Sequence, residues 1–281
     1  MAKSLIRKEY PSVTAAELRK INSYISNKCS EYYFLGFLRC SNGNVNDALG
    51  FFFLDERLRA LLTQYLMRFE IQIKSDFAKM VENATRSKQF WKVSKYYTPT
   101  ARVRRPGKKT IFCLTKNNVQ NSIDKMSPSS VGPLNYVAMY SMSFGCFETV
   151  YRYIDTTYEQ PFIDKYTSHL PVHTYDLLLN YFESIRVLRN RCAHGNHIIT
   201  KKFADQLSKY GGRYIINNAY SPMTGVYLSY FEAVLFFLIK QLSCGNEFRK
   251  ELKRLIKDFS TLLATYPSRH SLSANTVSKI L

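Results

Sequence analysis

Arg189, Asn190 and His194 stand close together in the run Leu188-Arg189-Asn190-Arg191-Cys192-Ala193-His194-Gly195-Asn196. These residue types can cut RNA. A histidine exchanges a proton near neutral pH, and an arginine offers a rigid, always-charged fork to phosphate oxygens. A side-chain amide can orient either of them by hydrogen bonding. RNA carries its own nucleophile, the 2′-hydroxyl. The histidine would take that proton or give one to the departing 5′-oxygen, while the arginine meets the charge that grows on the phosphate. This scheme calls for no metal and no cofactor. Each motif supplies one clear proton-transfer group, so two chains meeting at this element would make a fuller site. The alternative is structural: Arg189 and His194 cap a helix end and pair with Glu183.

The positioning element is legible. Residues 175–193 hold no Gly or Pro, and Leu178, Tyr181, Ile185, Leu188 and Cys192 recur at helical spacing, which predicts one helix packed on a core. On that helix Glu183, Asn190 and His194 fall within about 40° of one another, and Arg189 lies about 140° from His194. Gly195 reads as the C-terminal stop, which leaves His194 where the helix dipole favours positive charge. Glu183 and the nearby His197 are candidate supporting groups. So are Glu70 and Lys74, an i, i+4 pair whose simpler reading is a local salt bridge.

The rest of the chain also reads as helical. Thr14-x-x-Glu17 is a capping box that starts a helix over 14–27. Residues 46–81 form a long helical region, with a candidate break near Phe51. Helices are expected over 136–153, 224–242 and 247–263, with short strands as candidates at 110–114 and 213–216. The expected architecture is therefore an all-α helical bundle. It forms one domain over 1–267, followed by a flexible tail at 268–281.

Charge is the second clue. The 281-residue chain carries a formal net charge of +19. Residues 83–123 hold ten Lys or Arg and no Asp or Glu. Arg102, Arg104, Arg105, Lys108 and Lys109 form the densest part, around Pro106-Gly107. The segment at about 86–125 reads as an exposed, flexible basic insertion that would follow a phosphate backbone without choosing a sequence. Trp91, Tyr96 and Tyr97, just before that densest part, are candidates for stacking on bases. A solvated loop is the plainer alternative.

Six cysteines without metal-like spacing read as reduced thiols in a cytoplasmic protein. No ligand set for zinc and no nucleotide fingerprint is visible, which argues against a conventional ATPase, kinase or nicotinamide enzyme. The apolar run 234–239 is too short to span a membrane.

The Arg-Asn-x-x-x-His set resembles the Arg-x4–6-His signature of the HEPN superfamily, all-helical proteins that include many RNA-cleaving toxins. More narrowly, the chain resembles the Abi-like abortive-infection family of bacterial phage-defence proteins. The resemblance rests on Asp55-Glu56-Arg57-Leu58-Arg59 with Phe69-Glu70-Ile71-Gln72-Ile73-Lys74, on Ser143-Phe144-Gly145 after Pro133, and on Leu188-Arg189-Asn190-x-Cys192-Ala193-His194. It implies a HEPN-like fold, dimerisation, endoribonuclease activity through Arg189, Asn190 and His194, and a part in stopping phage spread. Some relatives resemble toxins restrained by a small partner RNA. Two places depart from the family pattern. Tyr136 and Tyr140 stand where a tryptophan and a glutamate are common, and Gly195-Asn196-His197 follows the motif histidine. Two function classes follow: a metal-independent endoribonuclease acting as a growth-arresting toxin, or a catalytically silent RNA-binding or phage-sensing protein of the same fold.

Overall fold

A computed structural model describes residues 4–25, 29–104, 106–126, 135–168, 175–200, 230–267 and 272. The elements are α1 (Leu5–Glu9), α2 (Ala15–Ile25), α3 (Glu31–Cys40), α4 (Val45–Thr85), α5 (Pro99–Arg102), α6 (Ile111–Met126), α7 (Asn135–Ser141), α8 (Phe144–Tyr153), α9 (Gln160–Thr167), α10 (Tyr175–Ala193), α11 (Tyr230–Gln241), α12 (Gly245–Asp258) and α13 (Ser260–Thr265). The chain is all-α. Among the described residues an isolated bridge pairs Tyr97 with Ile154. The strand candidate at 110–114 instead enters α6, where Thr110 Oγ1 accepts from the Cys113 amide at 3.1 Å. The candidate at 213–216 and the tail, apart from Leu272, lie outside the described residues, as does Arg105.

Contacts divide the chain into two units. The first comprises 1–65, 187–239 and 244–281; the second comprises 66–186 and 240–243. In the first, the capping box forms as the sequence requires: Glu17 N–H donates to Thr14 Oγ1 at 3.2 Å and Thr14 N–H donates to Glu17 Oε2 at 2.9 Å. The helix that follows buries Ile21 and Ile25. Helix α4 runs through Phe51 without a break. Its early apolar stripe, Leu54, Leu58, Leu62 and Tyr65, has no exposed surface. Gly50 on the same helix admits the Leu262 side chain, which would lie 3.0 Å from an added Cβ. Helix α11 buries Phe231 and the continuous run 233–239. No described helix is long and apolar enough to cross a membrane.

The second unit is built on aromatic rings. Phe77 meets Phe90, Phe147, Tyr151 and Phe162 at centroid separations of 5.2–5.9 Å, all edge-on. Such geometry sets the positive edge of one ring against the negative face of another. Asn135 ties this packing to the end of α4. It donates to Glu82 Oε2 at 3.0 Å and to the Ser87 carbonyl at 2.6 Å, and it accepts from the Phe90 amide at 3.0 Å.

Two expectations change here. The single helix over 136–153 is two, because Ser143 caps α8 by accepting from the Cys146 amide at 3.2 Å. The Met142 carbonyl, left outside both helices, receives the Lys74 ammonium at 2.5 Å. The basic segment is also not simply a loose insertion. It folds as two 3₁₀ turns (Phe90–Lys92 and Ser94–Tyr96), α5 and α6. Trp91 and Tyr97 are fully buried and Tyr96 is 7% exposed, so none of the three offers a face for stacking on bases. Their aromatic mass is worth more inside than out: Tyr97 packs edge-on to Phe112, and its hydroxyl donates to the Trp91 carbonyl at 3.2 Å. Arg102, Arg104, Lys108 and Lys109 do remain exposed at and after the end of α5.

Trp91 is the only tryptophan, which makes the placement easy to read. Its fluorescence should be blue-shifted and shielded from iodide, and added RNA should not quench it by stacking. Trp91→Ala should cost about 3–5 kcal/mol of stability in denaturant unfolding. Ready iodide quenching would contradict the buried placement.

Candidate functional site

Helix α10 carries its motif on the last two turns. One face is sealed: Leu177, Leu178, Tyr181, Phe182, Ile185 and Leu188 are each no more than 1% exposed. The helix stops through a paired C-terminal cap. Gly195 adopts φ +66°, its N–H reaches the Cys192 carbonyl at 3.3 Å, and the Asn196 N–H reaches back to Arg191 at 3.0 Å. A left-handed residue at this position satisfies carbonyls that would otherwise lack partners, and glycine adopts it without a Cβ penalty. His194 is the last residue before that turn. Its amide still donates to Asn190 at 2.9 Å, while its side chain is exposed.

The three motif residues thus share one helix end. Arg189 Nη1 contacts Asn190 Oδ1 at 3.3 Å, and both residues are half-buried. Arg191 turns to the chain beyond the cap and donates to the His197 carbonyl at 3.2 Å.

That following chain is anchored by a residue that motif reasoning leaves out of the site. Asp55, on α4, has no exposed surface. Its Oδ1 accepts from the amides of Ile198 at 2.8 Å and Ile199 at 3.1 Å. Its Oδ2 accepts from the Tyr33 hydroxyl at 3.3 Å and faces Arg59 Nε at 3.4 Å. Burial pushes the Asp55 carboxyl above its ordinary range, and these donors pull back against it. A sequence signal for this existed. Asp55 is spaced i, i+3 and i+7 from Leu58 and Leu62, so a charge falls on the apolar stripe of α4. Cys192, beside this cluster, has its thiol pushed up to about 12, first by burial and then by the Asp55 charge.

His197 belongs to the packing. Its ring lies 3.9 Å from that of Tyr33 and 4.5 Å from that of Phe37, centroid to centroid. Gly36 makes the room, since an added Cβ would sit 2.4 Å from the imidazole Cε1. Burial lowers the His197 pKa to about 4; a hydrogen bond with the Tyr33 backbone opposes this, and the charges of Arg59 and Arg191 reinforce it. A ring held neutral among aromatics is poorly placed to share proton transfer with His194.

The other candidate supports sit in the second unit, engaged with their own partners. Glu183 pairs with Arg152, which also reaches Glu148 at 3.1 Å; Glu148 in turn accepts from Arg186 Nε at 2.6 Å. Glu70 accepts from Lys74 at 2.6 Å, and the same ammonium holds the α7–α8 break. Among the described residues no three His, Cys, Asp or Glu side chains group as metal ligands would.

A family model described as Abi-like protein matches residues 32–200, a stretch that runs from α3 through Arg189, Asn190 and His194 to the Asp55-bound segment. No curated protein and no solved structure matches the chain.

His197 makes stability depend on pH in a defined direction. Its folded pKa, about 4, lies below the ordinary 6.5, so the unfolded chain takes up the proton first. Stability from this group is complete above about pH 6.5 and is lost as pH falls toward 4, by up to about 3 kcal/mol. His197→Leu should remove that slope. The difference in unfolding free energy between intact protein and variant, followed from pH 7 to 4, cancels common contributions such as that of Asp55. A constant difference would show that His197 is not held neutral.

Proposed function

The chain belongs to the Abi-like protein family, and from that premise we propose that it is a metal-independent endoribonuclease serving as a growth-arresting toxin in phage defence. Family membership supports the defence role. The observation that carries the nuclease reading is the exposed His194 at the capped end of α10, with Arg189 and Asn190 in the turn before it. A HEPN-like site of this kind would use the RNA 2′-hydroxyl as nucleophile. His194 of one protomer would accept its proton, and His194 of a second would protonate the leaving 5′-oxygen. A homodimer that brings two α10 ends together meets this need for two proton-transfer groups. Arg189 would hold the phosphate, and Asn190 would orient Arg189 through the contact already present. A cytoplasmic location and restraint by a small structured RNA complete the proposal.

His194→Ala should abolish both toxicity and cleavage of cellular RNA in EDTA while the variant still melts like the intact protein. Arg189→Ala should lose activity as well. Products should carry 2′,3′-cyclic phosphates and 5′-hydroxyls, and the active species should scatter light as a dimer. Full cleavage by His194→Ala would sink the assignment, and 5′-phosphate products would sink the mechanism.

A second reading, an RNA-binding or phage-sensing protein without catalysis, draws on the exposed Arg102, Arg104, Lys108 and Lys109, which can serve binding alone. Neutralising these with Arg105 should weaken RNA binding. The log–log salt slope should fall by at most about 3.5, at roughly 0.7 per phosphate contact on single strands. Saturating RNA should restore cleavage in this variant, as it cannot in His194→Ala. Unchanged affinity and slope would make the run a solvated turn.

A further inference from the structure

An arginine outside the sequence motif reaches the same helix end. Arg59 leaves α4 one turn after Asp55, and its Nη1 lies 3.2 Å from where a Cβ on Gly195 would stand. Gly195 follows His194, so the guanidinium sits at the last turn of α10. Its side chain is 17% exposed, which lets one edge meet solvent but denies it the freedom of a surface arginine. The Nε edge is fixed. It faces Asp55 at 3.4 Å as an ion pair, is not aligned for a hydrogen bond to it, and finds no other hydrogen-bond partner.

Asp55 orients this arginine without cancelling it. The two amides of Ile198 and Ile199 occupy one carboxylate oxygen, and the Tyr33 hydroxyl shares the other. Around the helix end stand Arg59, Arg189 and Arg191, and Asp55 is the carboxylate that faces Arg59. A helix C-terminus attracts cations, which accounts for basic residues in general. It does not account for a guanidinium set against a buried carboxylate with its Nη1 beside Gly195, the residue after the exposed His194. Arg189, by helical geometry, projects about 140° away from His194; Arg59 approaches the imidazole's own turn from another helix.

We infer that Arg59 holds a non-bridging oxygen of the scissile RNA phosphate, an inference that rests on the cleavage reading above. In that step the 2′-oxygen bonds to phosphorus as the bond from phosphorus to the 5′-oxygen breaks. One His194 takes the 2′-hydroxyl proton and the other supplies the proton of the new 5′-hydroxyl. The 2′,3′-cyclic phosphate leaves with no water consumed. Arg59 exchanges no proton; it meets the charge that builds on the phosphate oxygens.

The test compares the intact protein with Arg59→Lys, which keeps a cation for Asp55 but loses the fork. The substrate is a synthetic RNA bearing a site that the intact protein cuts, made with oxygen or with sulfur at either non-bridging position. Arg59→Lys should melt close to the intact protein, bind RNA with little change in KM, and lose about 100-fold or more in kcat. Sulfur at one position should slow the intact protein, and that discrimination should vanish in Arg59→Lys. If Arg59→Lys does not fold, the neutral pair Asp55→Asn with Arg59→Gln takes its place with the same expected outcome. Cleavage at the intact rate would overturn the inference. So would a slow variant that keeps the full sulfur effect, since that marks a structural role. Failure of the underlying reading looks different: intact protein and His194→Ala would behave alike in EDTA, before any Arg59 variant is compared.

Discussion

The contact between Asp55 and the amides of Ile198 and Ile199 fixes how the chain leaves α10, and much of the first unit follows from it. A carboxylate with no exposed surface is costly unless its oxygens are met by donors. Here two backbone N–H groups and a tyrosine hydroxyl donate to them, and the Arg59 guanidinium faces them as an ion pair. The same contact solves a second problem, because the buried amides of Ile198 and Ile199 need acceptors once the helix has ended. To bring those amides to α4 the chain must reverse at once, which Gly195 allows at φ +66°. The reversal drops His197 onto Gly36, between Tyr33 and Phe37. It leaves His194, the residue before Gly195, facing outward. The exposure of one histidine and the burial of the other are two results of a single anchor.

The second unit relies on a different economy. Aromatic rings fill it, and its buried charges are mostly matched in place. Glu148 and Glu183 share Arg152, and Glu148 also pairs with Arg186. Asp76 accepts from Lys165 at 2.5 Å and from the Tyr166 hydroxyl at 2.6 Å. Glu159 is the exception: it is fully buried, and neither carboxylate oxygen has a hydrogen-bond partner. Burial, reinforced by the nearby Asp155 charge, holds its pKa well above the ordinary carboxylate range. An uncharged carboxyl is the form such a site tolerates.

Periodic features of the fold were legible in the sequence, and contacts distant along the chain were not. Helix α10 was readable over 175–193 because its apolar spacing and the glycine after it agree. The capping box at Thr14 was readable because both partners lie within four residues. The split at Ser143 was missed because apolar spacing continues across it, while the Lys74 ammonium that receives the stranded carbonyl comes from 68 residues away. Trp91, Tyr96 and Tyr97 were misplaced for a related reason. Their local surroundings are basic and polar, but the rings that bury them, such as Phe112 and Tyr158, come from other elements. In the candidate site, Arg189, Asn190 and His194 were visible as a local motif. Arg59 was not, since nothing in its own neighbourhood shows which helix end it meets.

The sign of the charge along α10 shows how one helix serves two purposes. Asp176 and Glu183 fall in its first half, and no acid follows Glu183 through residue 200. Arg186 is matched by Glu148, but Arg189 and Arg191 come after the last acid of the helix. This order suits the helix dipole, whose C-terminal end favours cations. Dipole compensation alone would be met by basic side chains spread into solvent. Instead Arg191 is committed to the His197 carbonyl and Arg189 touches Asn190, so both are held near the helix end. Holding like charges close together opposes folding, and the opposition weakens when an anion binds. Under the proposed function, a site that stays positively charged until a phosphate arrives would give up some stability in the empty protein and recover it on binding.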